Sequence, residues 1–445
     1  MAKQSIETET IFALASAPGR AGVAVMRVSG PKSGAVLQAL TRRRRPEPRR
    51  ASLRVLYNET GERIDEALVL WFPGPGSFTG EDMAELHTHG SAAVLSALAE
   101  ALSDLGLRQA RAGEFTRRAF ENGRMDLTEV EGLADLIDAE SEAQRLQALR
   151  QMRGGLKAVY EGWRHKILDA LAMVEGEIDF PDEEGVPDAL AHRAGPILSD
   201  LGAEMAQALA ESGRGEQVRS GLDIAIIGAP NAGKSSLLNR LARREAAIVT
   251  AQAGTTRDII EVHLHMGGQA VRLADTAGLR ETGDIIEAEG VRRALARAEE
   301  ADLRIAVIDS VDPDLSVLEK LRQGDVVVWN KIDLARPEQQ NVSRETFLLS
   351  SQTGEGFAAF EQKLEALIKQ RFQPGEGAGL TRARHKRCVE AARSAIDRAY
   401  TALSQAPELA GDDLRQALEA IRELAGEADI EAVLDRVFSQ FCIGK

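Results

Sequence analysis

The chain has 445 residues, and at about 150 residues per domain this length predicts two to four domains. Its 55 Lys and Arg against 69 Asp and Glu give a net charge of −14, which excludes a protein held on nucleic acid by its bulk charge. Two cysteines, Cys388 and Cys442, are too few for a disulfide scaffold and favour a reducing, cytoplasmic location. No basic n-region precedes the short apolar run IFALASA, and no apolar run approaches the roughly 20 residues of a membrane span. We therefore expect neither a signal peptide nor a membrane anchor.

Short strand-like runs broken by glycine and proline turns extend from Thr10 to Leu107. They read VAVMRVSG, ASLRVLYN and EALVLWF, and the helical stretch AAVLSALAEALSDL follows them. Short runs of branched residues between turn residues are typical of strands. The pattern predicts a small α/β domain over residues 1–120.

The next part of the chain has helical periodicity. Apolar positions step by three or four over residues 141–178, which predicts one long helix whose middle is weakened by Gly154 and Gly155. A second helical stretch over residues 189–212 leads into the polar segment ESGRGEQVRSG, which we interpret as a linker. Residues 121–215 are therefore predicted to form the first part of a helical domain.

Strands alternate with helical patterns between Leu222 and Arg371, which is typical of βαβ units with a parallel sheet. From Thr381 the pattern is helical again. The simplest arrangement is an α/β domain, residues 216–375, inserted in a helical domain whose second part is residues 376–445.

A glycine-rich loop, GAPNAGKS, lies between the strand-like run LDIAIIG and a helical segment, the context of a phosphate-binding loop. Its backbone N–H groups can close on phosphate oxygens, Lys234 presents a charge to the β and γ phosphates, and the Ser235 hydroxyl suits Mg²⁺. The predicted nucleotide contacts in this segment are Asn231, Ala232, Gly233, Lys234, Ser235 and Ser236.

The motif DTAG follows the strand-like run QAVRLAD. Its carboxylate, Asp275, can hold Mg²⁺ through water, and the N–H of Gly278 can meet a γ phosphate. The order of these motifs predicts a nucleotide-dependent switch.

The motif NKID, with Asn330, Lys331 and Asp333, follows another strand-like run. A carboxylate there accepts from both N1–H and the exocyclic amine of guanine, an arrangement that adenine cannot satisfy. Ser350 and Ser351 are predicted to supply a further loop facing the base.

These motifs resemble the translation-factor-like GTPases, with one departure. Leu279 stands where Ras-like enzymes have the Gln that orients the attacking water, and an apolar side chain cannot take that role. Glu287 and Glu289 are the nearest polar candidates.

The charge that develops on the phosphate also needs a cation. Arg257 and Arg280 are candidate arginine fingers. Alternatively, a monovalent ion could be held by the Asn231 amide and by oxygens of the switch loop.

Nine segments carry a more specific resemblance, and they follow one another along almost the whole chain. They are APGRAGVAVMRVSG, FPGPGSFTGEDMAELHTHG, RAGEFTRRAFENGRMDLTEVEGLADLIDA, DFPDEEG, GAPNAGKSSLLNRLARREAAIVT, AGTTRDI, DTAGLRET, NKID and FCIGK. In that order they resemble the bacterial tRNA uridine-5-carboxymethylaminomethyl modification GTPases.

The resemblance implies a fold of the class α/β plus all-α. A P-loop, Ras-like GTPase domain is inserted in a helical domain, and an N-terminal α/β domain dimerises and binds a tetrahydrofolate in its 5-formyl or methylene form. The family acts with a flavin-dependent partner that carries FAD, in a heterotetramer or larger complex, to modify the wobble uridine of tRNA.

For the nucleotide site, the resemblance implies K⁺ ligands at Asn231, Thr250, Gln252 and Thr255. It implies Mg²⁺ ligands at Ser235 and Thr256, and it selects Glu287 to orient the hydrolytic water. The K⁺ then takes the arginine finger's part when two GTPase domains pair.

For the folate, the family's contacts fall on Arg27, Glu85, Arg124 and Lys445. A carboxylate suits the donor edge of a pterin, and cations suit the glutamate tail or a ring carbonyl. Cys442 is either a thiol near the transferred carbon or a small buried hydrophobe, since the chemistry allows both.

A different class of function shares every nucleotide motif, namely a regulatory GTPase switch in ribosome assembly without nucleoside chemistry. His87 with His89, and His263 with His265, are interpreted as strand neighbours rather than as zinc ligands. The basic runs at residues 41–50 and 381–387 are either solvated faces or contacts to tRNA phosphates.

Overall fold

The structure is a computed structural model, and the residues it describes are 9–179, 190–244, 261–275, 299–337, 345–371, 379–428, 431–439, 441 and 444. The chain divides into two compact units. One comprises residues 1–134, 151–198 and 394–445, and the other comprises residues 135–150 and 199–393. Each unit combines segments that are distant in sequence.

The N-terminal part is a six-stranded sheet with helices α1 (Ser33–Thr41) and α2 (Ala92–Asp104) on one face. Its strands are β1 (Ile11–Leu14), β2 (Ala21–Ser29), β3 (Ser52–Tyr57), β4 (Arg63–Phe72), β5 (Met83–Gly90) and β6 (Arg108–Gln109). Their order is β3-β4-β5-β2-β1-β6, and every pair is antiparallel except β1 with β6.

Side chains along the central strands β2 and β5 alternate between the two faces of the sheet. Met26, Val28 and Leu86 are buried against the two helices. The residues between them project to the opposite face, because successive side chains of a strand alternate. Arg27 of β2 and Glu85 of β5 are register partners on that face.

Helices make up most of the remaining described part of the first unit. Their bounds, including the segments that continue into the second unit, are α3 (Glu114–Glu121), α4 (Leu127–Ile137), α5 (Glu142–Met152), α6 (Gly155–Asp179), α7 (Ala194–Ser220), α10 (Ala383–Ala402), α11 (Pro407–Ala425) and α12 (Glu431–Ser439). Helix α6 buries Tyr160, Trp163, Ile167 and Val174, spaced three, four and seven residues apart, and packs on α11.

Two predictions in this region are wrong. The single helix over residues 141–178 is two helices, because Gly154 adopts a φ of 82° and its N–H closes α5 by donating to the carbonyl of Gln151. The polar segment interpreted as a linker is helical, since α7 continues to Ser220. Its side chains are held by tertiary contacts, with Gln217 donating to Asp302 at 2.8 Å, so packing overrides the composition.

The second unit contains a six-stranded sheet with helices α8 (Lys234–Arg244) and α9 (Phe357–Arg371). Its strands are β7 (Leu222–Ile227), β8 (Glu261–Met266), β9 (Gln269–Asp275), β10 (Leu303–Asp309), β11 (Val326–Asn330) and β12 (Glu345–Leu348). The order is β12-β11-β10-β7-β9-β8, and only the β8–β9 pair is antiparallel.

Alternate residues of β7 belong to separate clusters on the two faces of this sheet: Ile224 and Ile226 pack with Leu237, whereas Ala225 and Ile227 pack with Trp329. Burial on both faces is typical of parallel sheets. The carboxyl ends of β7, β9, β11 and β12 meet at one edge, where such folds bind ligands. The predicted fold class, α/β plus all-α with a Ras-like domain, is confirmed, while the exact limits of the four predicted segments stay a prediction.

Among the residues that the structure describes, none of the helices combines the length and the hydropathy of a membrane-spanning segment.

Candidate functional site

The phosphate-binding loop joins β7 to α8, as the motif predicts. Lys234 is 5% exposed, and its Nζ donates to the carbonyls of Gly228 and Ala229, both at 2.8 Å. These two bonds hold the ammonium group across the loop at the start of α8. A helix N-terminus with a lysine charge fits the phosphates of a nucleotide.

Two residues of this loop have left-handed backbone conformations. Gly233 has a φ of 95°, and a Cβ at this position would overlap Nδ2 of Asn330. Asn231 has a φ of 63°, which Asn tolerates better than most residues. Its amide is exposed and makes no hydrogen bond to another described residue, so the group fits a ligand for a cation.

Asn330 connects the phosphate loop to the loop after β12. Its Nδ2 donates to the carbonyl of Ala232 at 2.9 Å, and its Oδ1 accepts from the backbone N–H of Ser351 at 2.9 Å. Asn330 is buried, so both bonds are shielded from water. The first residue of the guanine motif is thus also a structural link between two loops of the site.

The other residues of the guanine motif lie beside this link. Lys331 donates to Asp309 at 2.5 Å. Burial opposes ionisation of Asp309, but hydrogen bonds from Lys331 and from the backbone of Val311 outweigh it and hold the pKa of this carboxyl below its ordinary value. Asp333 is exposed, so its carboxylate is accessible to a ligand.

Ser350 and Ser351 are both buried in the loop after β12. The Oγ of Ser351 has no hydrogen-bond partner among the described residues, although it is shielded from solvent. A buried hydroxyl without a partner costs free energy unless a ligand satisfies it. These groups together fit a guanine nucleotide.

Arg240 of α8 is a site residue that the sequence analysis missed. It donates from Nη1 to the carbonyls of Ser351 at 2.9 Å and Gln352 at 3.1 Å, and it lies 5.3 Å from the ring centroid of Phe357. A Cβ on Gly354 would overlap its guanidinium. No motif marks Arg240, because its partners are 111 and 112 residues further along the chain.

Several predicted site residues lie outside the described part of the chain. They are Thr250, Gln252, Thr255, Thr256, Gly278 and Glu287, together with Cys442 and Lys445 of the tail. Asp275 is the last residue of β9, and its backbone is paired with Ile226 of β7. The strand therefore ends at the same sheet edge as the phosphate loop.

On the face of the N-terminal sheet opposite α1 and α2, Arg27 and Glu85 form an ion pair. Nη2 and Nε of Arg27 donate to Oε1 of Glu85 at 2.9 and 3.1 Å, and His87 lies 3.2 Å from the other carboxylate oxygen. The guanidinium lies 5.6 Å from the ring centroid of Phe78 and 5.9 Å from that of Phe115. The side chains of Arg27 and Glu85 are 22% and 18% exposed, so the pair remains accessible to a ligand.

The loop over residues 73–82 carries Phe78 and is anchored by Arg118, a second residue that sequence reasoning missed. Arg118 is buried and donates to Glu81 at 2.9 Å. Arg124 is exposed, and its side chain lies beside Gly80 of the same loop. The structure thus brings Arg124 to the loop that also carries Phe78, without a direct contact to Arg27 or Glu85.

The C-terminal tail is placed near this sheet. Phe441 is buried, and Gly444 has a φ of 100° and lies so close to Leu14 that a Cβ would overlap the Leu14 carbonyl. Leu14 belongs to β1, where Ala13 is the register partner of Arg27. The described residues of the tail are therefore packed against the domain.

The histidine pairs have the surroundings of strand residues. His89 Nδ1 lies 2.8 Å from Asp65, and its backbone N–H donates to the same carboxylate at 2.7 Å. Within the described ranges, no group of three or more His, Cys, Asp or Glu is arranged to hold a metal ion.

Comparison with known proteins identifies the family. The family model of the MnmE helical domain matches residues 127–442, and that of the GTP-binding protein TrmE N-terminus matches residues 10–124. The chain belongs to the MnmE family of tRNA modification GTPases. The family and enzyme class predicted from the sequence are thereby confirmed.

Relatives in this family match along nearly the whole chain. The tRNA modification GTPase MnmE of Maricaulis maris is 55% identical over 438 residues, which cover 98% of this chain and 99% of that protein. The MnmE protein of Parvibaculum lavamentivorans is 52% identical over 445 residues, covering 98% and 100%. Among solved structures, the G domain of the T. maritima FeoB iron transporter is 28% identical, covers 33% of this chain and 98% of that one, and has a TM-score of 0.28.

Proposed function

We propose that this chain is the GTP-hydrolysing subunit of a complex that modifies C5 of the wobble uridine in tRNA. The added group is carboxymethylaminomethyl or aminomethyl, and glycine or ammonium supplies its amine. The observation that carries this proposal is the accessible Arg27–Glu85 pair, whose guanidinium lies near the rings of Phe78 and Phe115. Gly444 of the C-terminal tail packs against Leu14 of β1 in the same sheet.

A tetrahydrofolate fits the residues of this face. Bound there in its 5-formyl or methylene form, it would supply the one-carbon unit. Glu85 would accept hydrogen bonds from the donor edge of the pterin, and Arg27 keeps that carboxylate oriented at 2.9 Å. Arg124 and Lys445 would meet the anionic tail or a ring carbonyl. Cys442 acts either as a thiol near the transferred carbon or as packing.

In the nucleotide site, Asp333 would select guanine, and Lys234 would contact the phosphates with the backbone of the loop. Ser235 and Thr256 would ligate Mg²⁺, which a GTPase of this family requires. Asn231, Thr250, Gln252 and Thr255 would ligate K⁺, and Glu287 would orient the hydrolytic water. The exposed amide of Asn231 supports the K⁺ assignment.

Hydrolysis of GTP is not chemically part of bond formation at the uridine. Its role would be to order and release a domain arrangement through the switch segments after α8 and β9. We propose a homodimer whose GTPase domains pair around K⁺, acting in the cytoplasm with a partner that carries FAD, in a heterotetramer or larger complex.

The decisive experiment is nucleoside analysis of tRNA from cells that lack the protein. Loss of the modified wobble uridine, restored by the wild-type gene but not by Glu85→Gln, supports the proposal. Unaltered wobble uridines would instead favour the GTPase switch in ribosome assembly. Nothing among the described residues favours that alternative specifically, whereas the Arg27–Glu85 site has no part in it.

A further inference from the structure

The segment that connects α1 to β3, residues 42–50, concentrates positive charge on an acidic protein. We call it the arginine loop. It contains six arginines, all exposed, against one acid, Glu47, which pairs with Arg50 at 2.8 Å. The chain as a whole carries a net charge of −14, so this loop is a local reversal of sign.

The arginine loop is held in one shape by contacts with the sheet. Arg42 lies 5.0 Å from the ring centroid of Tyr57, and Arg45 lies 5.4 Å from that of Trp71. Such cation–π contacts favour one orientation of a long side chain. Arg49 donates from its backbone to the carbonyl of Trp71 at 2.8 Å.

Two positions of the loop have backbone conformations that need support from their surroundings. Arg42 has a φ of 52° and Arg49 a φ of 61°, values that residues other than glycine adopt at a cost. A loop fixed in this way loses little further entropy when it binds a partner.

Arg43 and Arg44 of the arginine loop are both exposed, and neither forms an ion pair with another described residue. A cation at the C-cap of α1 stabilises the helix dipole, and Arg42 occupies that position. Because this effect is confined to the last turn of a helix, it does not explain Arg43 and Arg44. The remaining arginines repel one another unless an anion lies between them.

The arginine loop borders the proposed folate site. Nη2 of Arg49 donates to the carbonyl of Gly76 at 2.5 Å, and Gly76 lies in the loop that carries Phe78. Phe78 in turn lies against Arg27. A polyanion bound along the arginine loop would therefore run past the site where a nucleoside is to be modified.

We propose that the arginine loop binds the sugar-phosphate backbone of the tRNA substrate and positions it beside the N-terminal site. This proposal rests on the proposed function, because that function places the modification of the uridine at the N-terminal site. Guanidinium groups match phosphate oxygens in pairs, and Arg43 and Arg44 supply two such groups. Tyr57 and Trp71 are covered by Arg42 and Arg45, so the loop holds RNA without stacking on its bases.

The test measures binding of a fluorescently labelled tRNA to the full-length protein by anisotropy at several salt concentrations. Each phosphate contact contributes about −0.7 to −0.9 to the slope of log K against log salt, so Arg43→Ala/Arg44→Ala should reduce the slope by about 1.5. Its Kd at about 0.1 M salt should rise about tenfold or more. Arg43→Lys/Arg44→Lys keeps both charges but loses the paired donors, so its slope should equal that of wild type while its Kd rises less than that of the alanine variant.

A charge-matched control is Arg153→Ala/Arg193→Ala, which removes two exposed arginines of the helical part. It should leave the Kd and the slope unchanged. The proposal is overturned if the control weakens binding as much as the loop variant, if the loop variant binds tRNA like wild type, or if the wild-type protein binds no tRNA at about 0.05 M salt. Loss of binding to phosphatidylserine vesicles with unchanged binding of tRNA would assign the loop to a membrane surface and also overturn it.

Binding of 5-formyl-tetrahydrofolate to the same proteins separates this proposal from the proposed function. Folate binding by wild type and loop variant alike, with tRNA binding lost only in the variant, supports the arginine loop. If no protein binds folate but the loop variant still loses tRNA, the folate assignment fails while the RNA contact stands.

Discussion

Nη1 of Arg240 donates to the carbonyl oxygen of Ser351 at 2.9 Å, which ties α8, the helix after the phosphate loop, to the loop after β12. The same guanidinium reaches Gln352 and lies over Phe357. Asn330 makes a second link to Ser351 from the phosphate-loop side. The loop after β12 is therefore held from two sides.

We expect Arg240→Ala to weaken binding of GDP by about 1 to 2 kcal/mol, or about fivefold to thirtyfold in Kd, because hydrogen bonds from a charged donor contribute about this much. The loss should appear mainly as faster release of a fluorescent GDP, while kcat at saturating GTP stays within about twofold, since Arg240 donates to the carbonyls of Ser351 and Gln352 in the loop after β12. Arg240→Lys should be intermediate. The control is Arg243→Ala, which removes an exposed arginine of the same helix and should bind GDP like wild type. Equal affinities for all four proteins would contradict the role assigned to Arg240.

We expect GTP turnover to be at least about tenfold faster in KCl than in NaCl, because a caged cation stabilises charge developing on the γ phosphate. Asn231→Ala should remove this difference and be slow in both salts. Measurement of GDP affinity in parallel shows whether the variant still binds nucleotide. Equal turnover of the wild type in the two salts would exclude the K⁺ ligand set.

We expect Glu85→Gln to raise the Kd for 5-formyl-tetrahydrofolate by about tenfold to a hundredfold, since an ionised acceptor is replaced by a neutral amide. Isothermal titration of the full-length protein measures the change. Glu66→Gln alters an exposed carboxylate of neighbouring strand β4 and should have no effect. Unchanged affinity in Glu85→Gln would remove the pterin from this face.

Glu114 should make stability depend on pH. Burial raises the pKa of Glu114, but hydrogen bonds from Arg108 and from the backbone of Arg111 outweigh it, so its pKa is lower in the folded protein than in the unfolded chain. The stabilisation is therefore present above the unfolded pKa of about 4.3 and is lost as pH falls through the folded pKa.

We expect Glu114→Gln to lower the thermal midpoint at neutral pH and to reduce the free energy of unfolding by about 1 to 3 kcal/mol. The difference in stability between variant and wild type should disappear as pH falls below about 4. Thermal melts followed by circular dichroism across pH measure this, with Glu100→Gln, an exposed carboxylate of α2, as control. A gap that stays constant with pH would show that charge at Glu114 is not its source.

The sequence by itself determined the nucleotide motifs, the alternation of strands and helices, and the family. Each of these is a local property: phosphate loop, guanine motif and strand periodicity are written in contiguous residues, because backbone geometry and neighbouring side chains create them. The resemblance named Arg27 and Glu85 only as separate folate contacts, and the structure shows that their register on adjacent strands joins them in an ion pair.

Only the tertiary structure decided the roles of Arg240 and Arg118, the break at Gly154 and the extension of α7 to Ser220. The arginines contact loops far away in sequence, so no local pattern distinguishes them from solvated side chains. The polar residues at the end of α7 remain helical because Gln217 donates to Asp302 and Arg219 donates to the carbonyl of Thr381, both far along the chain. Contacts between distant segments can stabilise a conformation more than local propensity does, and these contacts depend on residues outside the segment itself.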